Sequence, residues 1–185
     1  LLLQSILLIY QNSMKKNFYN LDLDWLNNIQ VNLSAVERRT SSLIKRRTVK
    51  KDYQAAWLLK AITLIDLTTL SGDDTYGKVD RLCQKALNPI SYKILSKLGI
   101  SSDTLKVGAV CVYHNLVKQA KKNLKDMIPV AAVSTGFPAG LSSFETRKKE
   151  ILNSIKDGAN EIDIVINRSF VLQNEWQKLY KEVKS

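Results

Sequence analysis

Glu161-Ile-Asp-Ile-Val-Ile-Asn167 is the stretch of this sequence that decides the fold. It is an almost wholly apolar run with one carboxylate, Asp163, inside it, and such a run is typical of a parallel strand covered on both faces. A carboxylate inside such a strand must be hydrogen-bonded or take part in chemistry, because burying an unpaired charge is costly. A predicted helix ends at Gly158, just before the strand, and this order of helix, glycine and strand indicates an α/β enzyme.

The same strand–helix unit recurs along the chain. Further strands are predicted over 61–70, 107–113 and 128–134, each followed by a helical pattern. The helix after the third strand is predicted to begin with a capping box formed by Ser142 and Glu145. The side chains predicted to face inwards on the three helices are Val79, Leu82, Cys83 and Ala86, then Val117, Ala120 and Leu124, and then Phe144, Ile151, Leu152 and Ile155.

Four successive strand–helix units predict a parallel sheet with right-handed crossovers. Two architectures fit this pattern: a doubly wound sheet, or part of a (β/α)8 barrel, which in full takes about 250 residues. Polar side chains at the C-terminal ends of the strands favour the barrel, because barrel active sites are built there. These side chains are Asp66, Thr68, Cys111, Tyr113, Thr135, Asp163 and Asn167. The expected fold is therefore α/β, with about the first four units of a (β/α)8 (TIM) barrel and helices before them.

Composition and charge limit the possible partners and cellular locations of the protein. The chain has 185 residues and a net charge of +11, and seven of its 28 basic residues fall between Arg38 and Lys51. This cluster is either a solvated surface or a site for an anionic partner; nucleic acid is the less expected partner, because no aromatic residues alternate with the charges. The two cysteines, Cys83 and Cys111, have no metal-binding spacing, which favours a reducing, cytoplasmic location. The basic cluster would also permit a nuclear one.

The two ends of the chain differ from its middle. Residues 1–13 are apolar at first but too short to span a bilayer, and they precede the first methionine, Met14, so we interpret them as a non-native or disordered extension and expect no membrane association. Residues 14–60 are expected to form an N-terminal helical segment, and residues 61–185 the partial barrel. No helix-stop signal precedes Ser185, so we expect the natural chain to continue.

Four motifs, one for each predicted strand, resemble the deoxyribose-phosphate aldolase family, and further stretches resemble its eukaryotic branch. The resemblance covers about residues 21–185. The motifs are Leu64-Ile-Asp-Leu-Thr-Thr-Leu70, Gly108-Ala-Val-Cys-Val-Tyr113, Val133-Ser-Thr-Gly-Phe-Pro-Ala-Gly140 and Glu161-Ile-Asp-Ile-Val-Ile-Asn-Arg168. The eukaryotic-type stretches are Ile29-Gln-Val-Asn32, Arg46-Arg-Thr-Val-Lys-Lys51 and Gln54-Ala-Ala-Trp-Leu-Leu-Lys60.

The resemblance implies a class I aldolase that reversibly cleaves 2-deoxy-D-ribose 5-phosphate to glyceraldehyde 3-phosphate and acetaldehyde. A lysine Schiff base would be the electron sink, so neither a metal nor an organic cofactor is implied. Asp163 matches the family's acid–base aspartate. Asp66 and Thr68 match a pair that borders the substrate pocket, and Cys111 matches a cysteine that faces it. His114 stands where the family usually has proline, and we interpret it as a surface loop residue.

The family's Schiff-base lysine lies in a Lys-Thr-Ser-Thr-Gly-Lys segment that this sequence does not contain. We therefore expect no aldolase activity from the 185 residues alone. The exposed strand edges of a half-barrel would favour homo-oligomers. Two other functions stay open: a non-catalytic relic or splice product whose basic region binds nucleic acid or another anion, and a different Schiff-base or phosphate-binding barrel.

Overall fold

The computed structural model describes residues 20–46 and 48–185, so Arg47 and the predicted extension over 1–13 lie outside the described residues. The chain divides into two compact units. One is Ser42–Arg168, and the other combines residues up to Ser41, of which 20–41 are described, with Ser169–Ser185. Among the described residues, no helix is both long enough and apolar enough to cross a membrane.

Ser42–Arg168 contains a parallel sheet whose four strands lie in sequence order, which confirms the α/β prediction. The strands are β1 (Asp66–Thr68), β2 (Ala109–Tyr113), β3 (Val130–Ser134) and β4 (Glu161–Ile164). The register places Thr68 of β1 beside Cys111 of β2, and Cys111 beside Ala131 of β3. Two residues after Ala131, Val133 of β3 lies beside Asp163 of β4. Each strand is shorter than its apolar run in the sequence.

Helices precede β1, separate each strand from the next and follow β4. In chain order they are α1 (Leu23–Asn28), α2 (Leu33–Leu43), α3 (Lys51–Ile62), α4 (Tyr76–Leu87), α5 (Tyr92–Lys97), α6 (Val117–Leu124), α7 (Phe144–Lys156), α8 (Arg168–Leu172) and α9 (Trp176–Lys184). Short 3-10 turns cover Ser102–Thr104 and His114–Leu116. Helices α1 and α2 lie within the N-terminal helical segment predicted over 14–60, and α3 begins within it.

The hydrophobic core lies between one face of the sheet and helices α4 and α6. The predicted inward faces are confirmed for both helices, since Val79, Cys83 and Ala86 of α4 and Val117, Ala120 and Leu124 of α6 are all buried. They pack in one cluster with the strand residues Val110, Val112, Val130 and Ala132. A carboxylate, Asp80 of α4, accepts a hydrogen bond from the amide of Asn123 of α6 at 2.7 Å and ties the two helices together.

The first strand is much shorter than the prediction of 61–70. Helix α3 continues through Ile62, and the Thr63 hydroxyl then donates to the carbonyl oxygen of Lys60 at 2.8 Å. Ala61 and Ile62 are therefore helical, and only Asp66–Thr68 pair with β2. The prediction was wrong here because a short apolar run has no periodicity that separates a strand from the end of a helix.

Helix α7 also differs from its prediction. Its N-cap is Ser143, whose hydroxyl accepts the N–H of Thr146, so the predicted Ser142–Glu145 capping box is wrong. The buried residues of this helix are Arg147 and Ser154, which lie two turns apart on one face. Leu152 and Ile155, predicted to be buried, are 64% and 53% exposed. The helix can bury a polar face because Arg147 Nε donates to the Ser142 carbonyl and Ser154 Oγ to the Glu150 carbonyl, each at 3.0 Å.

Strand β4 is exposed, as expected for an edge strand of a half-barrel, although its apolar run alone is typical of a strand covered on both faces. In the described sheet it pairs with β3 and forms one edge, while β1 forms the other. Asp163, Ile164 and Ile166 are consequently exposed. Burial on both sides of a strand needs neighbours in the sheet and in the helix layer, and an edge strand has these on one side.

The loop that follows β1 is organised by one buried carboxylate. Asp74, whose side chain is 1% exposed, lies 2.6 Å from Lys78 Nζ. Its carboxylate also accepts hydrogen bonds from the Thr69 hydroxyl at 2.9 Å and from the Ser71 N–H at 3.0 Å. The Lys78 ammonium and these donors hold the pKa of Asp74 below its ordinary value of 3.8.

Replacing Asp74 with asparagine is expected to lower the thermal unfolding temperature by several degrees at pH 7. Because the folded-state pKa is lowered, the carboxylate stabilises the fold above pH 3.8 and loses this effect as the pH falls through the lower folded value. The difference between wild type and Asp74→Asn should therefore persist from pH 7 to about pH 4 and shrink below it. Thermal melts followed by circular dichroism measure this, with Asp73→Asn, an exposed neighbour, as the control. Equal melts for the two variants would contradict the role of Asp74.

Candidate active site

The two faces of the sheet have different chemistry. Side chains alternate along a strand, so residues two apart share a face. Leu67, Val110, Ala132 and Ile162 pack with the helix core, and this side is the helix face. The opposite side, which we call the site face, carries Asp66 and Thr68 of β1, Cys111 and Tyr113 of β2, Ala131 and Val133 of β3, and Glu161 and Asp163 of β4.

A thiol and a carboxylate meet on the site face. Cys111 is 2% exposed, and its Sγ lies 3.4 Å from Oδ2 of Asp163, to which it donates. Burial is the main reason that the pKa of the Cys111 thiol is raised to about 12, and the hydrogen bond to Asp163 and the charge of that carboxylate add to the effect. The thiol therefore stays protonated and serves as a hydrogen-bond donor that orients one oxygen of Asp163.

The two predicted residues of β1 lie beside this pair. The Thr68 hydroxyl donates to the Asp66 carbonyl at 2.8 Å. The polar Thr68 side chain lowers the pKa of the Cys111 thiol, whereas the negative charge of Asp66 raises it. Asp66, Thr68 and Asp163 thus all affect the pKa of the Cys111 thiol. Both Asp66 and Thr68 are exposed on the site face, where a hydroxylated ligand can reach them.

The structure therefore brings together the four residues that the sequence singles out: Asp66, Thr68, Cys111 and Asp163. Of the other strand-end residues, Tyr113 packs on the same side, and its ring meets that of Phe137 edge-to-face with centroids 5.9 Å apart. His114 begins the 3-10 turn after β2 and is exposed, which agrees with the surface position expected for it.

The loop between β3 and α7, residues 135–143, contains Thr135 and most of the third motif, both singled out from the sequence, but its hydrogen bonds were not predicted. The Thr135 hydroxyl accepts the Val165 N–H at 2.6 Å and so binds this loop to the chain after β4. Gly140 donates its N–H to the Gly136 carbonyl at 2.8 Å, which closes the loop. Both glycines have positive φ, and a Cβ on Gly140 would lie 2.9 Å from the Val165 side chain. The pair of glycines was the available signal.

Glu150 of α7 was also missed. It accepts the Gly136 N–H on Oε2 at 2.9 Å, and its Oε1 lies 3.6 Å from Nδ1 of His114. Nothing in the sequence distinguishes Glu150 from the other charged residues of this helix, because the contact depends on how the helix is rotated against the sheet.

The raised pKa of Cys111 predicts a slow reaction with alkylating agents. The thiolate is the reacting form, and a pKa of about 12 leaves very little of it at pH 8. Alkylation by iodoacetamide in the native chain should be at least about 100-fold slower than for a free thiol. Mass spectrometry of Cys83→Ser and Cys111→Ser chains assigns each rate, with the urea-unfolded chain as the control. Rapid labelling of Cys111 in the folded Cys83→Ser chain would show that the thiol is not held as described.

Within residues 20–46 and 48–185, no group of three or more His, Cys, Asp or Glu side chains is arranged to hold a metal ion.

A family model described as DeoC/LacD family aldolase matches residues 60–185. The chain is 53% identical over 166 residues to the deoxyribose-phosphate aldolase of Mus musculus, a match that covers 88% of this chain and 52% of that protein. It is 53% identical over 167 residues to the deoxyribose-phosphate aldolase of Homo sapiens, covering 89% of this chain and 52% of that protein. The chain thus spans about half the length of the curated relatives it matches.

The fold has counterparts among solved structures. The structure named QR15, an aldolase, superposes with a TM-score of 0.52 and 27% identity, over 66% of this chain and 48% of that chain. This likeness agrees with the parallel strand order and with the family match. The strand–helix units of this chain are part of a (β/α)8 barrel, so the barrel alternative is confirmed over the doubly wound sheet.

Proposed function

Because this chain belongs to the DeoC/LacD family of aldolases, we propose that it carries the acid–base part of a deoxyribose-phosphate aldolase active site. The reaction would be the reversible cleavage of 2-deoxy-D-ribose 5-phosphate to glyceraldehyde 3-phosphate and acetaldehyde. The observation that carries the proposal is the Asp163 carboxylate, solvent-accessible on the site face and oriented by the Cys111 thiol at 3.4 Å.

Each residue of the site has a role in this proposal. Asp163 would take and return protons as the carbinolamine and the enamine form and decompose, which is the work of a positioned carboxylate. Asp66 and Thr68 would bind hydroxyl groups of the phosphosugar, since a carboxylate accepts and a hydroxyl both donates and accepts. Cys111 would hold Asp163 in place without reacting, because its thiol stays protonated.

The carbon–carbon cleavage needs an amine that can form a Schiff base with the sugar. Strands β1–β4 contain no lysine. The 185-residue chain alone should therefore show no retro-aldol turnover above the buffer rate, although the Asp163 carboxylate lies on the site face. Turnover by the purified chain would overturn this expectation.

A chimera tests the function directly. Residues 20–185 would replace the matching half of the mouse relative, to which the chain is 53% identical. We expect the chimera to cleave deoxyribose 5-phosphate in an assay that couples glyceraldehyde 3-phosphate to a dehydrogenase. The remaining half of the mouse protein alone is the control and should be inactive. A folded chimera that cleaves no deoxyribose 5-phosphate would refute the proposed function.

Self-association stays a proposal as well. The two edge strands of the described sheet are β1 and β4. Exposed apolar side chains lie at both edges: Leu64 and Ile65 just before β1, and Ile164 within β4. Such edges favour pairing with another chain. Sedimentation velocity over a range of concentrations measures this, and a monomer at every concentration would contradict it.

A further inference from the structure

The C-terminal end of β4 carries the carboxylate of the site. In the described part of the sheet β4 pairs with β3, and this pairing ends at Ser134 and Ile164. Asp163, the residue before Ile164, is exposed, and its carboxylate accepts the hydrogen bond of the Cys111 thiol. Because strand ends open more readily than strand centres, the contacts of the chain just after Ile164 decide how firmly Asp163 is placed.

The Thr135 hydroxyl extends the pairing of β3 and β4 by one residue. Thr135 directly follows β3 and leaves the extended conformation, with φ at 62°. Its hydroxyl accepts the N–H of Val165, the residue after Ile164, at 2.6 Å. The same hydroxyl lies 3.0 Å from the Val165 carbonyl oxygen and 2.7 Å from that of Ser134. Thr135 is 7% exposed, so these hydrogen bonds are shielded from water.

The backbone of Thr135 is strained for its residue type. A β-branched residue seldom has a positive φ, because its Cβ then crowds the backbone, whereas glycine takes this conformation freely. Strained residues persist only where their surroundings hold them, and they cluster at functional sites. At this position the feature that threonine has and glycine lacks is the hydroxyl, which binds Val165.

The same loop contacts this segment at a second point. A Cβ on Gly140 would lie 2.9 Å from the Val165 side chain and 3.2 Å from the Ile166 carbonyl oxygen. The backbone of the β3–α7 loop therefore approaches residues 165–166 closely. The end of β4 is thus held by a hydrogen-bonded contact at Thr135 and by a packing contact at Gly140.

We propose that Thr135 is a positioning residue, whose hydroxyl fixes Val165 and thereby keeps the Asp163 carboxylate at the Cys111 thiol. The inference rests on the proposed function for the role of Asp163, while the hydrogen bonds themselves are independent of catalysis. Without the hydroxyl, the chain after Ile164 is free to shift and the carboxylate moves with it. A displacement of about 1 Å in a reacting group can cost about 100-fold in rate.

Two variants of the 185-residue chain separate the hydroxyl from the backbone strain. Thr135→Ser keeps the hydroxyl, whereas Thr135→Gly removes it and suits the positive φ, so strain does not prevent its folding. Hydrogen exchange of the Val165 amide, followed by NMR, should be about tenfold faster in Thr135→Gly. In Thr135→Ser it should stay close to that of the unchanged chain. Equal exchange rates in Thr135→Gly and the unchanged chain would overturn the inference.

The infrared S–H stretching band of Cys111 reports its contact with Asp163 directly. It is measured in a Cys83→Ser background, which leaves one thiol in the chain. A hydrogen-bonded thiol absorbs at lower frequency than a free one. Thr135→Gly should move the band up to the position that it has in Asp163→Ala, and Thr135→Ser should leave it in place. A loss of stability alone would not move the band of the folded chain, so an unmoved band in Thr135→Gly contradicts the positioning role.

Turnover of the chimera with the mouse relative gives a third measurement. Thr135→Gly should lower kcat by about 10–100-fold and leave KM nearly unchanged, because the residue acts through Val165 and not on the substrate. Thr135→Ser should keep most of the turnover, and a Thr135→Gly chimera with full kcat would refute the role in catalysis. An inactive chimera that still has Thr135 would refute the aldolase function instead, and the exchange and infrared measurements would still decide this inference.

Discussion

Asp163→Asn in the chimera with the mouse relative is expected to lower retro-aldol turnover by roughly 10²–10⁴-fold. Asparagine has almost the same shape and its carbonyl oxygen can still accept the Cys111 thiol hydrogen, so the fold and the contact should survive. It cannot take up a proton at neutral pH, and this is the property the reaction would lose. The coupled assay for glyceraldehyde 3-phosphate measures the effect.

The matched control for this variant is Asp126→Asn. Asp126 is exposed and follows α6, where it pairs with Lys121 at 2.5 Å, away from the four residues of the site. It should leave the turnover of the chimera unchanged. An Asp163→Asn chimera that is folded and retains more than about a tenth of the turnover would show that this carboxylate is not the acid–base group.

Leu124→Ala is expected to destabilise the chain by about 2–5 kcal/mol. Leu124 ends α6, is 0% exposed, and packs in the cluster between the sheet and helices α4 and α6. Truncating it removes buried methyl groups and leaves a cavity that the surrounding side chains can fill only in part. Since domains are stable by about 5–15 kcal/mol, the loss should move the urea midpoint far towards zero.

The control for this prediction is Leu152→Ala on α7, where the same residue type is 64% exposed. Its cost should stay within about 0.5 kcal/mol, the usual range for surface substitutions. Urea unfolding followed by circular dichroism compares the two variants. A urea midpoint of Leu152→Ala as low as that of Leu124→Ala would mean that Leu152 is buried, as the sequence predicts for α7, and would contradict its exposure in the structure. A midpoint of Leu124→Ala as high as that of the unchanged chain would contradict the role of Leu124 in the core.

Much of the fold follows from local patterns. The order of strands and helices, the parallel sheet and the buried faces of α4 and α6 were predicted from periodicity, because helical and strand repeats place apolar side chains on one face over many residues. The grouping of Asp66, Thr68, Cys111 and Asp163 was also within reach, since these residues lie on strands whose alternation and parallel order bring their side chains to one face.

The errors have a common cause. The prediction for α7 assumed that apolar residues decide which face is buried, but hydrogen bonds satisfy Arg147 and Ser154 and let a polar face pack on the sheet. The prediction for the first strand failed because Ala61 and Ile62 suit the end of a helix as well as a strand. In each case hydrogen bonds, which the pattern of apolar residues does not show, favour the observed structure.

The sequence by itself determined the α/β order of this chain and its resemblance to an aldolase family, and it predicted Asp66, Thr68, Cys111 and Asp163 as site residues, since these depend on residue types at regular spacing. Only the tertiary structure decided that the Cys111 thiol meets the Asp163 carboxylate, and that Glu150 joins Gly136 to His114. The physical reason is that exposure, pKa shifts and hydrogen bonds depend on atoms far apart in sequence, which approach one another only when helices and strands pack.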